Sequence, residues 1–177
     1  MSDHVVSIGY LILANECPRH FARLTRALRA LKGARLFVHI DKKADAAPFK
    51  AAVADPRVRF LEDRVRVRWG DFSVVEATLA LMTAAAGSGL DRLCLLSGVD
   101  YPVRSAEYIV RFFDAHRGTE FISMVPMPND RVEKPLTRLT RYHLPTRRSV
   151  ASPPARSAFS IASCDVTMQG VEGIDTT

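Results

Sequence analysis

The feature that most restricts the fold is the alternation of two periods along the first two thirds of the chain. Four short apolar runs, "VVSIGYLILA", "RLFVHI", "VRFL" and "RLCLLS", read as buried strands, and stretches with helical spacing follow them. After the first run, Pro18 opens a helix in which Phe21, Leu24, Leu28 and Leu31 recur at three- and four-residue intervals until Gly33 stops it. After the second comes a short helical stretch around "APFKAAV". Alternating strand and helix units predict a mostly parallel sheet covered by helices, an α/β domain of Rossmann-like layering.

Two further helices are expected. In "WGDFSVVEATLALMTAAAG", Ser73 and Glu76 form a capping box, Val75, Leu79, Met82 and Ala86 line one side, and Gly87 closes the segment. After "RLCLLS", Ser105 caps a helix with Glu107 in its first turn and Tyr108, Ile109, Phe112 and Phe113 on its apolar face, ending by Gly118. "VRVRW" alternates valine with arginine as a half-exposed strand would, and "EFISM" reads as a further strand. Beyond about Pro145, clusters of Ser, Pro and Ala with weak periodicity predict a disordered tail, so residues 1–145 are expected to form the folded part and 146–177 the tail.

The net charge of +6 is local. Arg131, Lys134, Arg138, Arg141, Arg147, Arg148 and Arg156 face one acid, Glu133, in that window, and the rest of the chain balances 18 basic with 18 acidic residues. A general nucleic-acid-binding surface is not expected, because the basic run is not interleaved with aromatics that could stack bases. No apolar run reaches the roughly 18 residues of a membrane span and no basic leader opens the chain, so the expectation is a cytoplasmic protein with at most peripheral membrane contact. Cys17, Cys94 and Cys164 are odd in number and lack metal-ligand spacing, which predicts reduced thiols with Cys94 as core filler.

No GxGxxG follows a strand, no GxxxxGK[ST] or GxSxG is present, and no histidine pair has metal-ligand spacing; "GSG" at residues 87–89 follows a helix and reads as a linker. This demotes dinucleotide oxidoreductases, nucleoside triphosphatases and serine hydrolases. What remains are three polar groups at strand ends, "HIDKKAD", "WGDFS" and "SGVDYPVRS". In open α/β sheets ligands bind at the carboxyl ends of the strands, where an acid such as Asp41 accepts hydrogen bonds from a ribose or base and nearby cations meet phosphate oxygens. Each group also has a plain structural reading: Asp41 and Asp100 as turn formers, His39 as a satisfied core histidine, and Trp69 as a cover for the sheet edge.

Taken together and in order, "LILANECPRHFARLTRAL", "VHIDKKAD", "RWGDFSVVEATLALM" and "LLSGVDYPVRSAEYIVRFF" make residues 6–125 resemble the core-2/I-branching β-1,6-N-acetylglucosaminyltransferase family, which includes the peptide O-xylosyltransferases. The resemblance implies a GT-A-type glycosyltransferase fold, a UDP-sugar donor, a glycan or protein acceptor, and an inverting reaction with no cofactor and no metal. It places Asp41, by the family's HxD acid, near the donor's uridine, and matches Trp69 with Gly70, and Asp100, Tyr101 and Pro102, to the family's tryptophan-glycine and Asp-Tyr-Pro motifs. Many GT-A enzymes carry a metal-binding DxD there; here Val99 separates Gly98 from Asp100. Asn15 stands where the family often has a histidine, and the glutamate base of the family's later half has no match, so no catalytic residue is assigned. The resemblance thus implies an incomplete layered sheet that is either an active transferase of the GlcNAc or xylose type or a truncated, non-catalytic UDP-binding or interaction fragment.

Overall fold

A computed structural model describes residues 5–68, 70–122, 124, 126, 128 and 136–141. Four parallel strands, β1 (Ile8–Ala14), β2 (Arg35–Ile40), β3 (Val58–Phe60) and β4 (Arg92–Ser97), lie in the order β3-β2-β1-β4. The chain first builds outward from β1 to β2 and β3, then crosses to the other side of β1 for β4. That reversal makes the carboxyl end of β1 a topological switch point, where successive loops diverge and leave a crevice.

Both faces of the sheet carry helices. On one face Ile8, Tyr10, Ile12 and Ala14 of β1 pack with Phe21, Leu24 and Leu28 of α1 (Pro18–Arg29) and Phe49 of α2 (Ala47–Ala52), and Ile109 and Phe113 of α4 (Ala106–Ala115) join them. On the other, Leu11 and Phe37 meet Leu81 and Ala85 of α3 (Ser73–Ala85). The helix starts follow local chemistry. Pro18 occupies the first turn of α1, where its missing N–H costs nothing, and Ser105 Oγ accepts the Tyr108 amide at 3.3 Å to cap α4. Among the described residues Tyr10 is the exception to polar satisfaction: its hydroxyl is buried without a partner, and burial raises its ionisation well above the ordinary phenol range. Among the described residues no helix is long and apolar enough to cross a membrane, and Cys17 and Cys94 are in no disulfide.

Several expectations need correction. Ser73 is the first residue of α3, not its cap: its hydroxyl accepts the Arg68 amide at 2.8 Å, while Asp71 Oδ1 accepts the Ser73 amide at 3.3 Å, so no Ser73–Glu76 box forms. The buried stripe of α3 is Ser73, Ala77, Leu81 and Ala85, and Val75, Leu79, Met82 and Ala86 are exposed. "RLCLLS" is an edge strand with one open face, on which Leu93 and Leu95 are 44% and 53% exposed, because α3 packs mainly on β1 and β2. "VRVR" forms no strand: the amides of Val65, Val67 and Arg68 bond to side chains instead of to a neighbouring strand.

"EFISM" is likewise not a strand over its described residues, and Ile122 and Met124 are 72% and 88% exposed. Topology gives the reason. Because α4 lies on the same face as α1, a right-handed crossover from β4 leads back toward β1, whose two edges β2 and β4 already occupy. Arg92 also pins the exit from α4 beside the start of β4, donating to the carbonyls of Thr119 at 2.7 Å and of His116 and Arg117 at 2.6 Å. The basic window, the proposed tail and Cys164 lie wholly or mostly outside the described residues.

Candidate functional site

The site begins where the ladders of β1 end. Ala14 lies opposite Ile40 of β2, and Leu13 opposite Ser97 of β4. One residue further, the Asp41 amide donates to the Ala14 carbonyl at 2.8 Å and the Gly98 amide to the Leu13 carbonyl at 2.7 Å. Asp41 and Gly98 therefore flank the end of β1, about 10 Å apart across two strand spacings. Gly98 is required by close approach: a Cβ there would sit 2.7 Å from Ala14 Cβ and 3.0 Å from Ala14 Cα. This is why the apolar run of β4 breaks at Ser-Gly, and it lets the following turn carry Asp100 and Tyr101 over the same rim.

Asp41 is buried, and its carboxylate organises the loops on its side of the rim. Oδ1 accepts the Lys43 amide at 2.9 Å and the Val67 amide at 3.4 Å, and Oδ2 lies 3.3 Å from Lys43 Nζ. Two residues earlier, His39 Nε2 accepts the Val65 amide at 2.8 Å, and the Lys42 amide donates to the Val65 carbonyl at 3.0 Å. The alternating pattern of residues 64–68 thus serves to strap this segment across the end of β2. Arg64 donates to the Ala44 carbonyl at 3.0 Å, whereas Arg66 and Arg68 are exposed. Gly70 takes the left-handed conformation, φ 76°, in the turn that leads into α3; Trp69 lies outside the described residues.

On the other side of β1, Asp100 Oδ2 accepts the Ser97 amide at 2.8 Å and closes its turn, with Asp100 and Tyr101 both exposed. Two residues of α1, unremarked in the sequence, meet this turn. His20 Nε2 donates to the Asp100 carbonyl at 3.2 Å, and the Arg23 guanidinium stands 5.8 Å from the centre of the Tyr101 ring. The legible signal was a polar residue in core phase, since His20 precedes Leu24 and Leu28 at four-residue steps. The structure therefore places Asp41, Gly70, Asp100 and Tyr101 in loops following the strands of one sheet, with Asp41 and Asp100 in separate hydrogen-bonded groups on the two sides of β1. Among the described residues no group of three His, Cys, Asp or Glu side chains gathers as a metal cluster would.

His39 is a satisfied core histidine. Burial pushes its imidazole below the ordinary value, with the Asp41 carboxylate opposing and Arg64 reinforcing the shift. Because Nε2 is an acceptor, the folded protein holds the neutral ring, whereas the unfolded chain takes up a proton as pH falls below about 6.5. Stability is therefore complete above that value and is lost as pH drops toward the depressed folded value. Thermal melts at about pH 7.5 and 5.5 are expected to show a larger loss for the native protein than for His39→Gln, which keeps an acceptor but does not titrate. Equal losses would refute the assignment.

A parallel sheet layered between helices, with polar loops gathered at the carboxyl ends around a switch point, defines a Rossmann-like α/β domain. The model of the Core-2/I-Branching enzyme family matches residues 8–161, and the chain belongs to that family. It is also similar to Xylosyltransferase oxt of Drosophila pseudoobscura pseudoobscura, with 28% identity over 123 residues. That alignment covers 66% of this chain and 14% of the relative, so the chain spans a small part of the curated protein it matches.

Proposed function

We propose that residues 1–145 form the donor-nucleotide part of a glycosyltransferase that moves a sugar of the GlcNAc or xylose type from a UDP-sugar to a hydroxyl of a glycan or protein. The observation that carries this reading is the convergence of Asp41 and the Asp100–Tyr101 turn on one rim, from the two strands that flank β1. In the reaction the acceptor oxygen forms a bond to the anomeric carbon as that carbon's bond to the UDP oxygen breaks on the opposite side, inverting the centre. The acceptor proton passes to a carboxylate base that is assigned to none of the described residues, and UDP leaves with the bonding electron pair.

On this reading Asp41 and Tyr101 meet the nucleoside, and exposed cations of the rim, Lys42, Arg66 and Arg68, balance charge growing on the diphosphate. Metal independence is part of the proposal: the Gly98-Val99-Asp100 turn carries one acid where a divalent-ion site of the DxD kind needs two. Calorimetric titration with UDP is expected to show binding that EDTA leaves intact and that weakens about tenfold or more in Asp41→Asn, the loss of one charge-assisted hydrogen bond. No binding at millimolar UDP would overturn the reading, and binding abolished by EDTA would overturn its metal-free part. Binding without turnover of UDP-GlcNAc or UDP-xylose would assign the chain to nucleotide capture alone.

A further inference from the structure

The turn bearing Asp100 and Tyr101 is held from within by short side chains and from outside by α1. Within it, Asp100 Oδ2 accepts the Ser97 amide at 2.8 Å and Ser97 Oγ accepts the Val99 amide at 3.4 Å. From outside, His20 donates to the Asp100 carbonyl at 3.2 Å, and its ring meets that of Tyr101 at 61° with 6.1 Å between centres. Arg23, one helical turn on, adds its guanidinium 5.8 Å from the centre of the Tyr101 ring. His20 is only 5% exposed, between exposed Arg19 and buried Phe21. An apolar side chain would suit that burial as well, but it would offer the Asp100 carbonyl no donor.

The placement of this brace in the topology gives it a role. It joins the helix that leaves β1 to the turn that leaves β4, the two segments that part company at the switch point. We propose that His20 and Arg23 are positioning residues of the donor site. They fix the Asp100–Tyr101 turn so that Asp100 Oδ1, which has no protein partner among the described residues, and the half-exposed Tyr101 ring present one geometry to the nucleotide, and neither brace residue touches the substrate. The proposal rests on reading this rim as the donor site, as set out above.

Hydrogen exchange followed by mass spectrometry on the full chain, beside UDP titrations, tests it. In ligand-free protein, His20→Ala is expected to speed exchange of amides 98–104 while leaving the β2 amides 35–40 unchanged. The same variant should weaken UDP binding about five- to tenfold, the value of one net hydrogen bond. His20→Gln, whose amide can donate to the same carbonyl, should restore most of both. Arg23→Ala, at an exposed position, should cost about two- to fivefold through the lost cation–π contact.

Unchanged exchange at 98–104 in His20→Ala would overturn the brace itself. Faster exchange with undiminished UDP affinity would leave a structural contact and overturn the positioning role. A native protein that binds no UDP, yet shows the expected exchange changes, would overturn the donor reading and the positioning role with it, while the brace stands.

Discussion

Replacing Asp41 by alanine is expected to lower the stability of the domain by about 2–4 kcal/mol, through loss of charge-assisted hydrogen bonds to two amides and of an ion pair with one ammonium. The carboxylate is buried, and both amides it accepts, Lys43 and Val67, begin loops that have no strand partner there. In the variant those N–H groups lose their acceptor and the 64–68 strap loses one of its ties to β2, so the rim loosens together with the fold. The Asp41 substitution that reads the proposed nucleotide binding cleanly is therefore Asp41→Asn, not Asp41→Ala, because asparagine keeps one acceptor oxygen for the amides and gives up the charge and the second oxygen, which faces Lys43. Denaturant titration checks this: a falling midpoint with an unchanged slope for Asp41→Ala, and a shift of about 1 kcal/mol or less for Asp41→Asn. If Asp41→Ala unfolds at the native midpoint, the carboxylate holds nothing and its burial needs another explanation.

How far the sequence disclosed this arrangement depended on whether a local rule or a long-range contact decided each element. β1, α1, β2, α2 and the start of α4 were legible because periodicity, Pro18 and the Ser105 cap act within a few residues. Two of the three polar groups, "HIDKKAD" after β2 and "SGVDYPVRS" after β4, were legible too, since the end of an apolar run marks the rim of a parallel sheet, whereas "WGDFS" follows the 64–68 strap and not a strand. Alternating Val and Arg in 64–68 misled, because alternation records which side chains are covered and not what the backbone bonds to; here His39, Asp41 and Ser73 take the amides. "EFISM" misled because strand propensity says nothing about whether a sheet edge is reachable from the preceding helix. His20 and Arg23 went unnoticed because their partners lie about 80 residues away in the chain.

The buried face of α3 is the clearest case in which tertiary contact chose among equivalent local options, and it sets the other large expectation. The sequence "SVVEATLALMTAA" is apolar almost all round, so spacing alone admits both the Val75, Leu79 and Met82 stripe and the Ala77, Leu81 and Ala85 stripe. Packing selects the second, since Ala77 and Ala85 are small enough to bring the helix close to the sheet and Leu81, 0% exposed, fills the space against Leu11 and Phe37. Leu81→Ala is then expected to cost about 2–5 kcal/mol, transfer of the lost methyl groups plus the cavity they leave. Leu79→Ser, at a site 50% exposed, should stay within about 1 kcal/mol, the residue of a small propensity change. Chemical denaturation of the two variants decides between the faces, because each stripe predicts the opposite ranking. A Leu79→Ser protein less stable than Leu81→Ala would mean that α3 is rotated on the sheet. Such a rotation would also move Ser73 away from Arg68, and with it the turn through Gly70 that joins the rim to the helix.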